Sequence, residues 1–208
     1  LSLSRSFLKN KGETVHKTVE SFLRRTDPKA IAGKYIVEFG SYNVNGGARE
    51  IIMPMKPAIY EGYDMRAGPG VDRVHDFSQI CAVLQDSEKP AVIICVNTLE
   101  HAKNWMQVVR NIKFLLPHDG MLLFSVPGLG CPYHDPPDYW RFTKKQVAGI
   151  FSDMKTEVLE DDPETFGTLF RGRSLVMTGT VPLNEYEPAK VPGGDADKRK
   201  NGRSSRME

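Results

Sequence analysis

Long apolar stretches are absent from this chain. The longest uninterrupted run, Ala91 to Val96, has six residues, whereas a helix crossing a bilayer needs roughly 20. The opening residues, Leu-Ser-Leu-Ser-Arg-Ser-Phe-Leu, lack the apolar centre and small-residue cleavage site of a secretory signal. Leu1 stands where an initiator Met would, as in a chain with another start codon, a processed chain or a trimmed one. Cysteine is scarce: Cys81, Cys95 and Cys131 are widely spaced and form no Cys-x-x-Cys pair. That pattern excludes a disulfide framework and predicts reduced core thiols. An excess of charge is missing too. The net charge is +2 over 208 residues, so the whole-molecule field argues neither for nor against a polyanionic partner. The phosphate-gripping Gly-Lys-Ser/Thr of NTPases does not occur. The expectation is a soluble, cytoplasmic protein without a membrane partner.

What is present is a pair of strands, each ending in an acid at a turn. Tyr35-Ile36-Val37 runs into Glu38-Phe39-Gly40 and then a turn-rich loop, Ser41 to Gly47. A second short strand, Tyr60 to Tyr63, ends at Asp64. In an open α/β sheet a nucleoside-bearing ligand lies in the crevice beyond the carboxyl ends of adjacent strands, with an acid on the second strand taking the ribose hydroxyls. A dinucleotide would need Gly-x-Gly-x-x-Gly after the first strand, so that backbone can approach the pyrophosphate. Here Tyr42 stands at the middle position, which argues against NAD or FAD.

The rest of the chain alternates strand and helix. Helices are predicted over Thr14 to Arg25 (capped by Thr14), around Ala48 to Met53, over Ser78 to Leu84, from Asn104 to Leu116, and from Thr143 to Phe151. Strands are predicted at Lys34–Phe39, Ala58–Asp64, Val71–His75, Ala91–Val96 and Met121–Val126. The last two show no alternation, as expected of central parallel strands buried on both faces. Lys155–Leu159 and Ser174–Thr180 read as a closing hairpin. The fold class expected is α/β: a three-layer, doubly wound, mostly parallel seven-stranded sheet whose last strand is antiparallel. Residues 1–30 form an N-terminal helical segment, 31–185 the domain, and 186–208 a disordered basic tail with Lys198-Arg199-Lys200.

These residues resemble the class I S-adenosylmethionine-dependent methyltransferases, especially the small single-domain type 11 family. The resemblance runs from about Lys34 to Phe151. Val37-Glu38-Phe39-Gly40 with Asn43 to Gly46 is similar to that family's first motif, Tyr63-Asp64 to its second, and Val74-His75-Asp76 to the segment whose acid meets the adenine amine. Asn97-Thr98-Leu99-Glu100-His101 resembles the fourth-strand motif, and Leu115 to Gly120 the turn before the fifth strand, with His118-Asp119 replacing its first glycine. The resemblance implies S-adenosyl-L-methionine as cofactor, held by Glu38, Phe39, Gly40, Ser41, Asn43, Gly46, Asp64, Met65, Asp76, Phe77, Asn97, Thr98, Leu99 and His101.

The segment Pro132 to Thr143 follows the fifth strand and should overhang the crevice. It resembles the His-Asp-Tyr-Trp-Arg-Phe-Thr stretch of a subset of that family linked to glycan or small-molecule modification. His134 is the candidate general base for a hydroxyl nucleophile, with Asp138, Tyr139 and Arg141 beside it. His134, Asp135 and Asp138 have no metal-ligand spacing, so no metal is expected. The acceptor implied is a glycan or small molecule. The alternatives are a nucleic acid reached through the basic tail, a protein, or a binding protein that keeps the fold. Asp135-Pro136-Pro137 precedes Asp138 rather than an aromatic, so it is not the signature of amino-group DNA methylation.

Overall fold

The computed structural model of the chain describes residues 16–43, 46–79, 89–132 and 138–175, together with the backbone of Ala189–Lys190. Seven strands make the main sheet: β1 (Tyr35–Phe39), β2 (Ile59–Asp64), β3 (Arg73–Val74), β4 (Val92–Val96), β5 (Met121–Val126), β6 (Met154–Asp162) and β7 (Gly167–Ser174). Their order is β3-β2-β1-β4-β5-β7-β6. The first five are parallel, while β7 runs antiparallel to both β5 and β6. The order reverses between β1 and β4, which makes their carboxyl ends the topological switch point.

Period-two alternation decides which core each side chain joins. Ile36, Val92, Ile94, Met121, Leu123 and Leu169 point to one face. There they meet Val19, Phe22 and Leu23 of helix α1 (Lys17–Arg24) and Ala48, Ile51 and Ile52 of helix α2 (Ala48–Ile52). Val37, Phe39, Ile93, Cys95, Leu122, Phe124 and Phe170 point to the other face. That face is covered by helix α3 (Trp105–Leu115) and helix α4 (Lys144–Ile150). The continuous apolar runs at β4 and β5 therefore reflect burial on both sides.

The two later helices begin where their caps predict. Asn104 accepts the Gln107 amide at 3.3 Å, and Thr143 with Gln146 closes a reciprocal capping box. The first helix starts later than its apolar spacing suggests, at Lys17 with His16 as N-cap, and Thr14 lies outside the described residues. So does most of the helix expected over Ser78 to Leu84, of which residues 77–79 form a turn.

Two strand expectations are corrected. The third strand is only Arg73–Val74, because the preceding loop doubles back: the Asp72 carboxylate accepts the Gly62 amide at 2.7 Å, and the Asp72 amide donates to Gly62 O at 2.8 Å. The strand that closes the hairpin with β6 is Gly167–Ser174, and residues 176–180 of the expected Ser174–Thr180 strand lie outside the described residues. The glycines of β7 give it the composition of a loop, yet packing demands at least one. A Cβ on Gly167 would stand 2.1 Å from the Val126 carbonyl oxygen. Trp140–Arg141 pairs with Ala189–Lys190 in a separate two-stranded ladder.

Candidate functional site

The loop after β1 closes onto the ends of β2 and β4. Gly40 has φ +77 and lies so near Thr98 that an added Cβ would sit 2.2 Å from the Thr98 hydroxyl, which only glycine tolerates. Thr98 in turn donates to Val96 O at 2.9 Å and Phe39 O at 3.2 Å. Asn97, at the end of β4, is also left-handed (φ 45). It exchanges hydrogen bonds with Ser125 on β5, whose hydroxyl donates to Asn97 Oδ1 at 2.9 Å. The switch point thus holds two positive-φ residues, Gly40 and Asn97, the kind of feature that collects at binding sites.

The described amides of this loop are already engaged. Gly40 and Ser41 both donate to Tyr63 O, at 2.8 and 3.0 Å, and Asn43 donates to Pro69 O at 2.8 Å. Tyr42 donates to Asp64 at 3.3 Å, Gly46 to the Asn43 side chain at 2.7 Å, and Gly47 to Glu50 at 3.1 Å. A phosphate is gripped by free backbone N–H groups at a helix N-terminus. Each described amide from Gly40 to Asn43, and those of Gly46 and Gly47, has an acceptor within the protein.

Asp64 is differently placed. Its carboxylate accepts one backbone amide on each oxygen, Tyr42 on Oδ2 and Arg66 on Oδ1 at 3.0 Å. A carboxylate has about four lone-pair sites, so both oxygens keep capacity for two hydroxyls. The Arg66 guanidinium lies 4.7 Å from the Tyr42 ring centroid and flanks this edge. Beyond β3, Asp76 is half-buried and holds the Ser78 amide at 2.8 Å, again leaving its second oxygen for an amine donor. Met65 is exposed on the same rim.

Other expected site residues support the pocket from behind. Phe39 and Phe77 stack face to face, with centroids 3.5 Å apart, and are buried with Leu99. Ser41 is buried, and the Asn43 side chain ties the loop to Glu50 at 3.0 Å. Glu38 faces α2: it accepts the Tyr60 hydroxyl at 2.7 Å and the Ala48 amide. It therefore joins β1, β2 and α2 and reaches no open surface.

On the acceptor side, the one-turn helix Leu99–His101 meets the segment after β5. Tyr139 donates its amide to Glu100 O at 2.7 Å, and the Trp140 indole donates to Ala102 O at 2.8 Å. These bonds bring Asp138 to His101, with Oδ1 3.0 Å from Nδ1. Arg141, buried with Asp138, pairs with its Oδ2 and also donates to Trp140 O at 3.0 Å and Pro132 O at 3.1 Å. His134 lies outside the described residues. Spacing alone hid the His101–Asp138 contact, because it depends on how two loops cross. The only sequence signal was that both lie just beyond adjacent strand ends.

Two carboxyls in this region are pushed well above their ordinary value of 4.5: Glu38 to about 7 and Glu100 to about 8, both chiefly by burial. Such an acid favours the folded state while protonated. Its contribution is complete below the unfolded pKa and is lost as pH rises through the folded one. The urea midpoint should therefore fall between about pH 5 and 8.5. A Glu38→Gln, Glu100→Gln double variant should flatten that fall, and an undiminished fall would show the folded carboxyls to be ionised already.

Comparison with known proteins agrees with this architecture. A profile described as a methyltransferase domain matches residues 12–175, and the chain belongs to that family. No curated protein matches the chain significantly. Among solved structures it is similar to an S-adenosylmethionine-dependent methyltransferase from Clostridium acetobutylicum, with TM-score 0.56, 10% identity, and coverage of 80% of this chain and 94% of that one. It is also similar to the N-methyltransferase NodS from Bradyrhizobium japonicum, with TM-score 0.56, 14% identity and coverage of 76% and 95%. NodS in complex with S-adenosyl-L-homocysteine gives TM-score 0.54 at 13% identity over 76% and 86%. At these identities the likeness is one of fold. Among the described residues no helix is long and apolar enough to cross a membrane.

Proposed function

We propose that this methyltransferase-family chain uses S-adenosyl-L-methionine to methylate a hydroxyl, or a similar nucleophile, of a sugar or other small metabolite. The observation that carries the donor assignment is the contrast at the switch point: a first loop whose described amides are already engaged, beside an Asp64 carboxylate with acceptor capacity on both oxygens. That combination suits a nucleoside without phosphates. When bound, S-adenosylmethionine would supply an electrophilic methyl on a cationic sulfur.

In this reading Asp64 accepts from the two ribose hydroxyls, and Asp76 from the adenine amine. Phe39 and Phe77 floor the pocket. The backbone at Gly40, with Asn97 and Thr98, lines the methionine end. Ser41, Asn43 and Gly46 hold the loop in shape, and Glu38 anchors its root. Asp138, Tyr139 and Arg141 belong to the acceptor side.

Calorimetric titration of the full chain with S-adenosylmethionine and its demethylated product tests the donor. Saturable binding below about 100 μM, near −5.5 kcal/mol or better, is expected. An absence of heat at millimolar donor would overturn the assignment. The acceptor follows from labelled methyl donor added to fractionated small-molecule extract, where label should partition with neutral hydroxyl compounds. Label appearing in nucleic acid or protein would exclude the small-molecule reading.

A further inference from the structure

We infer that Asn111, backed by Asn104 and Gln107 on α3, is a positioning residue for the adenine of the donor. Resting on the donor reading above, this role deepens it. The three amide side chains hold the turn after Asp76 and thereby set a preference for a purine with a 6-amino group.

Residues three and four apart on a helix are neighbours, and positions 104, 107 and 111 follow that spacing. The Asn104 side chain, besides capping α3, donates to Ser78 O at 3.4 Å. Gln107 Nε2 donates to Asn111 Oδ1 at 3.0 Å. Asn111 Nδ2 donates to Phe77 O at 2.9 Å and to Gln79 O at 2.7 Å. Each carbonyl from Phe77 to Gln79 therefore accepts from an amide side chain of α3 or its cap. Asp76 closes the turn from within. Its carboxylate accepts the Ser78 amide at 2.8 Å, and its carbonyl accepts the Gln79 amide at 3.1 Å.

The residue type matters at this position. Asn111 is buried, and a carboxamide offers two N–H donors and one acceptor oxygen. Both donors go to the turn and the oxygen to Gln107. An apolar side chain of the same size would orphan two carbonyls, and a carboxylate would set oxygen against oxygen. Packing of α3 on the sheet runs through Val108, Val109, Ile112 and Leu115. The amides make a separate contact, directed at the turn alone.

That turn carries Asp76 and Phe77. Phe77 lies flat on Phe39, with the His75 ring edge-on at 4.9 Å and Tyr63 tilted at 5.4 Å. Stacking fixes the plane of the ring, while the bonds from α3 fix the backbone that bears it. A 6-amino group donates to the second Asp76 oxygen, whereas a 6-oxo group would face it with lone pairs. Hydrogen bonds weaken steeply off their axis, so this discrimination requires a carboxylate that cannot swing aside. The Ser78 amide holds the carboxylate, and the α3 amides hold residues 77–79.

The test compares S-adenosylhomocysteine with S-inosylhomocysteine, its 6-oxo counterpart, by calorimetry on the full chain. The wild type should prefer the adenosyl compound by at least about tenfold, the worth of one hydrogen bond to a charged group. Asn111→Asp keeps the side-chain volume, replaces the donor by an oxygen, and should reduce that preference below about threefold. Partial unfolding weakens both ligands by the same factor, so the ratio reads positioning and not stability. In an Asp76→Ala background Asn111→Asp should leave the ratio unchanged, because the two act through one contact. Should Asn111→Asp not fold or not bind measurably, Gln107→Ala carries the test. It removes the partner of Asn111 Oδ1 from a half-buried position and should lower the ratio at least about threefold. An undiminished preference in the variant measured would overturn the assignment. So would a wild type that binds both compounds equally, although the donor reading would then stand. A wild type that binds neither would overturn the donor reading and the adenine role with it. Hydrogen exchange at the Ser78 and Gln79 amides, at least about tenfold faster in Asn111→Asp than in wild type, would still report the clamp, so the two failures are distinguishable.

Discussion

Arg141→Ala should cost about 3–5 kcal/mol of folding stability, read from urea unfolding near neutral pH. The size follows from what remains behind. Arg141 and Asp138 are both buried, and the guanidinium holds one carboxylate oxygen and two carbonyls. Removing it leaves a buried negative charge and two orphaned acceptors in a low-dielectric site. Arg141→Lys should rescue little, since a single ammonium cannot present a planar fork to three separate acceptors. Asp138→Asn in the Arg141→Ala background should recover part of the loss by removing the uncompensated charge. A cost below about 1 kcal/mol, the range of an exposed ion pair, would mean that solvent reaches the cluster.

Asp64→Ala carries the second large effect, on donor binding. Two charge-assisted hydrogen bonds to the ribose contribute about 1.5–3 kcal/mol each, about 3 kcal/mol or more together, so affinity for S-adenosylmethionine should fall at least about a hundredfold. The substitution also removes the acceptor for the Tyr42 and Arg66 amides. Part of the loss will therefore come from loosening of the first loop. Asp64→Asn separates the two contributions. Its amide oxygen still accepts one of the two backbone donors, so the loop should lose less stability than in Asp64→Ala while the lost charge still weakens donor binding. Calorimetry showing unchanged affinity in Asp64→Ala would place the nucleoside elsewhere.

The central strands were legible because burial on both faces leaves a direct mark in composition. Ala91 to Val96 and Met121 to Val126 have no polar alternation, and no other position in an α/β sheet produces such runs. The helices capped by Asn104 and Thr143 were equally plain, since a cap is a local hydrogen bond between a side chain and the next turn. Lys155–Leu159 of the closing hairpin falls within β6, while its second strand lies earlier than expected, for the opposite reason. Gly167-Thr168-Leu169-Phe170-Arg171-Gly172 has a strand's role and a loop's composition. Its first glycine exists because β5 backbone passes too close for a Cβ, a distance no single segment encodes. The site divides in the same way. Asp64 and Asp76 end strands and could be read from their own neighbourhoods, whereas Glu38 turned out to face α2 because alternation along β1 sends it to that side.

Local sequence by itself determined the alternation of strands and helices, the glycine turn after β1 and the acids at two strand ends, because each follows from periodicity or from hydrogen bonds between near neighbours. Only the tertiary structure decided that the first loop's described amides are engaged, that Glu38 lies behind the crevice, and that His101 meets Asp138. Those three depend on how separate loops cross at the switch point, and crossing is set by packing on both faces of the sheet rather than by any one stretch of chain.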